Sequence, residues 1–313
     1  MTPALSPQDR EPDFAFRRCF ALFTATHMKL CRFTAADAPT PRVGLTLDDE
    51  TLLDLSSVGI PSLTDLLDAA ELPDHLRTLV AKGPRSFPLN DVKLHAPVEH
   101  QEVWAAGVTY LRSKKARMEE SDFSATAYDR VYEAPRPELF FKSTGSKAVG
   151  PGDAVGIRAD SKWNVPEPEL VLVLNRRGLL VGYTAGNDMS SRDIEGENLL
   201  YLPQAKVYDR SCALGPFIVV DVTEAMARTW MIGVKIIRAG EVVFGGETGV
   251  NQIKRTFDEL ISWLNRSQTF PAGAVLLTGT GVVPPNEFTL AEGDHVVIDI
   301  SGIGILENRV TVV

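Results

Sequence analysis

Short strand-like segments follow one another through most of this chain. After about residue 97, runs of β-branched, aromatic and aliphatic residues alternate with turns that contain glycine and proline. The clearest runs are Leu139 to Lys142, Ala154 to Ile157, Leu170 to Leu174, Leu179 to Ala185, Met231 to Ile237 and His295 to Ile300. Many strands at short spacing are typical of a sandwich or barrel. One helical repeat interrupts them, from Val250 to Leu264, so the pattern predicts a mixed α/β fold that is mainly β.

The N-terminal part has a different pattern. Alternating apolar residues in Lys29 to Phe33 and Val43 to Leu47 predict a small β-meander. Ser62-Leu63-Thr64-Asp65 resembles a capping box, and leucines at helical spacing then predict two short helices separated at Pro73. Residues 28–95 are therefore predicted to form a small N-terminal α+β domain, and residues 96–313 a larger domain. Pro84 to Pro97 is interpreted as the connector.

Residues 1–27 resemble neither part. A short apolar run follows Arg17-Arg18, but three acidic residues precede it, which is not typical of a secretory signal. We interpret residues 1–27 as a poorly ordered N-terminal extension.

Composition and charge exclude several classes of protein. Hydrophobic residues make up 44% of the 313 residues, and no apolar run approaches the roughly 18 residues that span a membrane. The formal net charge is -9, and no segment concentrates Lys and Arg as a phosphate-binding face requires. We therefore predict no membrane and no nucleic-acid partner. A small anionic substrate stays compatible with this charge, because local charge can oppose net charge.

The spacings of the cysteine and histidine residues argue against zinc motifs and histidine-based metal sites. The three cysteines, Cys19, Cys31 and Cys212, form neither a disulfide framework nor a zinc motif, which suits a reducing cytoplasm. The five histidines show no metal-binding spacing. There is also no glycine-rich dinucleotide motif and no P-loop. We predict a cytoplasmic protein whose metal chemistry does not depend on histidine.

Two carboxylates stand at the start of an apolar strand. Side chains alternate along an extended chain, so Glu167 and Glu169 point the same way and can hold one cation. Pro166 and Pro168 flank them, and proline is confined to strand starts and edges, which places the pair at a rim. The alternative is an exposed strand start with two solvated acids, because surface glutamates are common.

A third carboxylate follows the next strand. A hairpin through the turn at residues 175–178 would bring Asp188 back beside Glu167 and Glu169. Three carboxylates that close repel one another, and a divalent cation resolves the repulsion. All-oxygen ligands favour magnesium, calcium or manganese over zinc. For Asp188 the alternative is a turn-forming Asn-Asp pair.

Several motifs resemble those of the fumarylacetoacetate hydrolase family, from about Trp104 to the C-terminus. They are Glu167-Pro168-Glu169-Leu170, the segment Gly182 to Asp193, Gln204-Ala205-Lys206 and Thr278-Gly279-Thr280. The segments Ala106 to Tyr110, Arg136 to Lys142 and Ile194 to Lys206 resemble the branch of that family that dehydrates 2-keto-3-deoxy-pentonates. Leu199 stands where the resemblance leads us to expect proline, but it lies between the motifs that carry the site residues.

The resemblance implies a fold and a site. The fold is a fumarylacetoacetate-hydrolase-like β-sandwich roll that commonly dimerises, so a homodimer or higher homo-oligomer is expected. Mg2+ is implied as the cofactor, held by Glu167, Glu169 and Asp188, with Mn2+ or Ca2+ as alternatives. The implied substrate is a small 2-keto acid, whose keto oxygen the metal would polarise.

Acid and base groups are also implied. Lys206 and Glu138 are the candidates for catalytic proton transfer, although an arbitrary lysine or glutamate is usually a solvated surface residue. Thr280 and Gly279 are candidates for substrate binding, and a plain β-turn is the alternative there. Arg112 lies in the charged segment Leu111 to Tyr132, which is interpreted as a lid with a solvated helix as the alternative; this arginine is the third substrate-binding candidate.

The histidine positions favour one reaction. For members of this family that hydrolyse a carbon-carbon bond, the resemblance implies that a histidine and a glutamate near the lid activate water. No histidine occurs between His100 and His295 in this sequence. We therefore predict magnesium-dependent dehydration of a 2-keto-3-deoxy-pentonate, the D-arabinonate or D-xylonate derivative, to 2,5-dioxopentanoate. The alternatives are hydrolysis or decarboxylation of an acylpyruvate or other diketo acid and, from a different class, a non-catalytic sugar-acid-binding protein.

Overall fold

The computed structural model describes residues 27–111 and 130–313. The strands in those ranges are β1 (Lys29–Ala35), β2 (Ala38–Thr46), β3 (Thr51–Asp54), β4 (Arg85–Pro88), β5 (Val92–His95), β6 (Glu102–Gly107), β7 (Glu138–Thr144), β8 (Ala154–Ile157), β9 (Asn164–Val165), β10 (Pro168–Leu174), β11 (Leu180–Asp188), β12 (Ser190–Ser191), β13 (Cys212–Val219), β14 (Met231–Arg238), β15 (Glu241–Gly249), β16 (Ala274–Leu277), β17 (His295–Ile300) and β18 (Gly304–Val312). The helices are α1 (Leu63–Leu66), α2 (Leu72–Ala81), α3 (Arg192–Glu197), α4 (Leu202–Lys206), α5 (Glu224–Ala227) and α6 (Phe257–Asn265).

Strand β10 lies near the middle of an eleven-stranded sheet. The strand order is β4-β3-β2-β1-β13-β11-β10-β16-β6-β7, and β5 also pairs with β1. All seven residues of β10 are buried. Its run of leucine and valine is continuous because both faces of the strand are covered: Leu170 and Leu172 belong to one hydrophobic core, and Val171 and Val173 to another.

A second sheet covers the first of these cores. Its strand order is β15-β14-β17-β18-β8. Inward-facing residues such as Ile232, Val234 and Ile298 share that core with Leu170 and Leu172 of β10. Two sheets with interdigitating inner faces form a sandwich, so the predicted mixed fold that is mainly β is confirmed.

Residues 28–95 extend the large sheet instead of forming a sheet of their own. Strand β1 pairs with β13, and Leu30↔Ile218 is one pair of the register. Helices α1 and α2 cover the second core, where Leu63 and Leu76 share a cluster with Val171. The segment interpreted as a connector contains β4 and β5, which pair with β3 and β1. The domain boundary near residue 95 stays a prediction.

The helices differ from their predicted bounds. Ser62 is confirmed as the N-cap of α1, since its hydroxyl accepts the Asp65 N–H at 3.2 Å, but α1 ends at Leu66 and α2 already begins at Leu72. Pro73 lies in the first turn of α2, where a missing N–H costs nothing. The helix predicted from Val250 is interrupted: Val250–Gln252 form a short 3-10 helix, and the α-helix begins only at Phe257, capped by Thr256.

One carboxylate from outside the N-terminal segment stabilises the start of α1. Glu99 accepts the backbone N–H groups of Leu63 and Thr64 at 3.1 and 2.8 Å. It also accepts the hydroxyls of Ser62 and Thr64 at 2.9 and 2.6 Å. Burial alone would raise the pKa of Glu99, but these hydrogen bonds outweigh burial and hold the pKa below its ordinary value. The helix dipole also stabilises a negative charge at a helix N-terminus.

None of the helices within residues 27–111 and 130–313 combines the length and the apolar character needed to cross a membrane. The predicted N-terminal extension, residues 1–27, lies outside the described residues except for His27.

Candidate active site

The hairpin of β10 and β11 brings the three predicted metal ligands together. The register pairs Pro168 with Asn187 and Glu169 with Gly186. The Asp188 N–H donates to the Glu167 carbonyl at 2.9 Å, so the side chains of Asp188 and Glu167 lie opposite each other. The predicted hairpin is confirmed, and it results from a short turn between two strands of similar length.

The three carboxylates form a buried cluster. One oxygen of each of Glu167, Glu169 and Asp188 lies within 4.8 Å of the others. Their exposed fractions are only 2%, 1% and 1%. Burial and then the charges of Asp188 and Glu167 raise the pKa of Glu169 well above its ordinary value. A set of three carboxylates at this spacing, with oxygen ligands only, fits a hard divalent cation such as Mg2+.

Lys206 contacts two of these carboxylates. Its Nζ donates to Glu167 Oε2 at 2.8 Å, to Asp188 Oδ2 at 3.1 Å and to Ser190 Oγ at 2.5 Å. The lysine is the last residue of α4 and is fully buried. The alternative of a solvated surface lysine is therefore wrong. A buried ammonium persists only where such acceptors satisfy it.

Two further buried cations contact the carboxylates, and the sequence reasoning missed both. Lys142 Nζ lies 2.5 Å from Asp188 Oδ1 and donates to the Met189 carbonyl at 2.9 Å. Burial is the main cause that lowers the pKa of Lys142. Arg192 donates to Glu167 Oε1 at 2.8 Å. A signal was present, since Lys142 stands directly after an apolar run and Arg192 follows two serines within a quoted motif.

The carboxylates and Lys206 line a small, narrow cavity. Its other walls are Ala106, Gly107, Val108, Phe140, Gly279 and Thr280. Val108 adopts a φ of 53°, in the left-handed region that β-branched residues rarely occupy. Because backbone strain of this kind concentrates at ligand sites, it marks this wall as a functional surface.

Gly279 and Thr280 close one side of the cavity. The Gly279 N–H donates to Glu169 Oε2 at 2.6 Å, so this glycine orients a predicted metal ligand. Its φ is 92°, and a Cβ at this position would lie 2.1 Å from Thr109 Oγ1. Only glycine fits that backbone and that space. Thr280 is buried beside it, with Val282 N–H donating to its hydroxyl at 3.3 Å.

Glu138 begins β7 and lies behind Gly107, which lines the cavity. The two residues are partners in the β6–β7 register. A Cβ built on Gly107 would lie only 2.0 Å from Glu138 Oε2, so the glycine leaves room for the carboxylate. The structure therefore places the Glu138 carboxylate directly behind Gly107, although Glu138 is not itself among the cavity-lining residues. Arg112, the remaining candidate, lies outside the described residues.

Sequence comparison identifies related proteins over most of the chain. The family model described as "Fumarylacetoacetate (FAA) hydrolase C-terminal" matches residues 102–311. The chain is 54% identical over 274 residues to the "Probable 2-keto-3-deoxyxylonate dehydratase" of Haloferax volcanii. This alignment covers 85% of this chain and 94% of that protein. The chain is 42% identical over 265 residues to the "2-dehydro-3-deoxy-D-arabinonate dehydratase" of Saccharolobus solfataricus, covering 83% and 89% of the two chains.

Structure comparison agrees. A solved structure described as "2-keto-3-deoxy-D-arabinonate dehydratase complexed with magnesium and 2,5-dioxopentanoate" matches with a TM-score of 0.75 at 33% identity. The match covers 91% of this chain and 99% of the solved chain. The sandwich, the buried carboxylates and the matched residues 102–311 lead to one conclusion: the chain belongs to the fumarylacetoacetate hydrolase family.

Proposed function

We propose that this protein dehydrates a 2-keto-3-deoxy-pentonate, the arabinonate or xylonate derivative, to 2,5-dioxopentanoate. The observation that carries the proposal is the buried cluster of Glu167, Glu169 and Asp188 with Lys206 in one small cavity. The relatives at 54% and 42% identity are named as dehydratases of these two sugar acids. A related structure contains magnesium and the product of the same reaction.

The metal in this proposal is Mg2+, held by Glu167, Glu169 and Asp188, with Mn2+ or Ca2+ as substitutes. In the described residues, three buried cations contact these carboxylates, namely Lys142, Arg192 and Lys206. The formal charges of the six side chains cancel. A bound divalent cation would therefore leave the cavity positive, which favours an anionic 2-keto acid. When bound, the ion supplies Lewis-acid polarisation of the 2-keto oxygen.

The reaction needs two proton-transfer groups. A proton leaves C3 and the hydroxyl leaves C4, and together they form one water molecule. A second proton then moves from C5 to C3, and the enol at C5 passes its hydroxyl proton to C4 to give the aldehyde. Lys206 lines the cavity and the Glu138 carboxylate lies behind Gly107, which is part of the wall, so we assign these transfers to them. Thr280 and Arg112 are proposed to bind the substrate.

Hydrolysis of a diketo acid is the competing reaction. Among the described residues that line the cavity there is no histidine to activate water. His295 lies on β17, where it pairs with Glu307 at 3.4 Å. These positions favour elimination of water over carbon-carbon hydrolysis.

The decisive experiment is product analysis. The purified protein is incubated with Mg2+ and a panel of 2-keto-3-deoxy acids, and the aldehyde product is trapped and quantified. We expect 2,5-dioxopentanoate from a pentonate and loss of activity with a chelator. Hydrolysis of an acylpyruvate without any aldehyde from the pentonates would contradict the proposal, and ligand binding without turnover would identify a binding protein. Sedimentation of the same sample tests the proposed homo-oligomer, and cell fractionation tests the cytoplasmic location.

A further inference from the structure

The turn Ile253 to Arg255 lies far along the chain from the carboxylates but contacts both segments that frame the cavity. On one side it holds the end of the β6 segment. Tyr110 and Ile253 form an isolated antiparallel bridge, and the Lys254 N–H donates to the Thr109 carbonyl at 3.0 Å. These contacts stabilise the wall that continues from Ala106 to Val108.

On its other side the turn holds the segment that leads into β7. The Arg255 guanidinium donates to the carbonyls of Val131, Ala134 and Pro135 at 3.3, 2.6 and 3.2 Å. Glu138, the candidate acid or base, begins β7 three residues after Pro135. The arginine is only 8% exposed, and a buried guanidinium that donates to several carbonyls has little freedom to move.

Proline content explains why this segment needs an external anchor. Pro135 and Pro137 both precede Glu138, and neither has an N–H to donate to a sheet. The backbone before β7 therefore has fewer N–H donors with which to align itself by ladder hydrogen bonds. Arg255 supplies donors from outside, and Arg136 adds a second contact by stacking over the Trp263 ring at 4.5 Å.

The arginine is itself held in place. Its guanidinium pairs with Glu259 in the first turn of α6. Arg228 donates to the carbonyls of Ile253 and Arg255 at 3.0 and 2.7 Å. The turn is thus fixed from the core side, and its orientation does not depend on the metal-ligand cluster.

We propose that Arg255 is a positioning residue for the reaction, because it aligns the Ala134 to Pro137 segment and so keeps the Glu138 carboxylate against Gly107, which lines the cavity. The inference rests on the proposed function, since it assigns Arg255 an effect on the same dehydration. It adds a residue that touches neither the substrate cavity nor the three carboxylates. A displacement of about 1 Å at a reacting group can reduce a rate by about 100-fold. Loss of the Arg255 contacts can therefore lower kcat measurably.

The test compares Arg255→Lys and Arg255→Met with Glu138→Gln. Lysine keeps the charge but loses the planar fork, so we expect kcat to fall about 10-fold in R255K and about 100-fold in R255M, with KM changed less than kcat. Binding of Mn2+, followed by electron paramagnetic resonance, should be unchanged, because the ligand cluster is not contacted. Arg176→Met is the matched control: Arg176 is exposed and pairs with Asp65 and Asp68, not with the segment before β7, and its loss should leave kcat unchanged.

The double variant R255K/E138Q separates positioning from general stability. If Arg255 acts through Glu138, the second substitution adds no further loss of kcat to E138Q. Additive losses, or a wild-type kcat in R255K beside a slow E138Q, would overturn the inference while leaving the proposed function intact. Because R255K retains charge and bulk, the test does not depend on R255M folding. Absence of aldehyde from the unsubstituted protein would instead overturn the proposed function.

Discussion

Glu99 and Glu169 are both carboxylates inside the protein, yet their surroundings shift them in opposite directions. Four hydrogen bonds from Ser62, Leu63 and Thr64 hold the pKa of Glu99 below its ordinary value, despite burial. Glu169 lies deeper, and burial together with the charges of Asp188 and Glu167 raises its pKa. The difference shows two uses of a carboxylate. Glu99 receives enough hydrogen-bond donors to stabilise its charged form and the fold, while the charged form of Glu169 is disfavoured until a cation offsets the repulsion.

The largest expected effect concerns Glu169. Glu169→Gln removes one anionic ligand, so metal affinity and turnover should each fall by more than about 100-fold, beyond the loss seen for outer-shell changes. The thermal midpoint of the metal-free variant should equal or exceed that of the parent, because a buried repulsive charge is gone. Mn2+ titration and thermal unfolding without metal measure the two quantities. A variant that unfolds at a lower temperature would mean that Glu169 also stabilises the fold.

The Glu138 carboxylate can be displaced by a substitution at a neighbouring residue while Glu138 itself stays unchanged. Gly107→Ala would set a Cβ 2.0 Å from Glu138 Oε2, which is the flexible end of that side chain. We expect the carboxylate to move, kcat to fall about 10- to 100-fold, and the unfolding midpoint to change little. Gly240→Ala is not a suitable control, because Gly240 has a φ of 88° and an alanine would strain the backbone there. Ala105→Gly, two residues away in β6 and not lining the cavity, tests the flexibility of the strand alone, and an equal loss of kcat there would contradict steric displacement.

Glu99 should show the reverse pattern, with stability changed and turnover retained. Glu99→Gln keeps the size of the side chain but weakens its hydrogen bonds to α1, which should cost about 1 to 2 kcal/mol of unfolding free energy. Urea unfolding measures this cost, and the dehydration rate serves as the comparison. A rate that falls in parallel with stability would show that α1 influences the site through the shared core.

The smallest effect is the pH dependence of that stability. Because the pKa of Glu99 is lowered on folding from 4.5, its contribution is fully present above about pH 4.5 and is lost as the pH falls through the folded-state pKa. The difference in unfolding free energy between the parent and Glu99→Gln should therefore shrink between pH 6 and about pH 3. A difference that stays constant across this range would mean that the carboxylate charge does not contribute.

Local features of the site were predictable from the residues. Alternation put Glu167 and Glu169 on one side, and the turn between two strands of similar length returned Asp188 to them. The N-cap at Ser62 was predictable for the same reason, since the capping motif spans four residues. Such patterns depend on neighbours in the chain, and backbone geometry alone relates them.

Contacts between distant segments were not predictable in this way. Lys142 and Arg192 were missed as partners of the carboxylates, and the N-terminal strands were separated from a sheet that they in fact extend. The helix after Val250 was predicted too long, because periodicity does not reveal that residues 253–255 leave the helix to bind two other segments. Periodicity and alternation specify which face of a segment is buried. Which distant residue lies against that face depends on packing across the whole core, where burial and charge balance decide the partner.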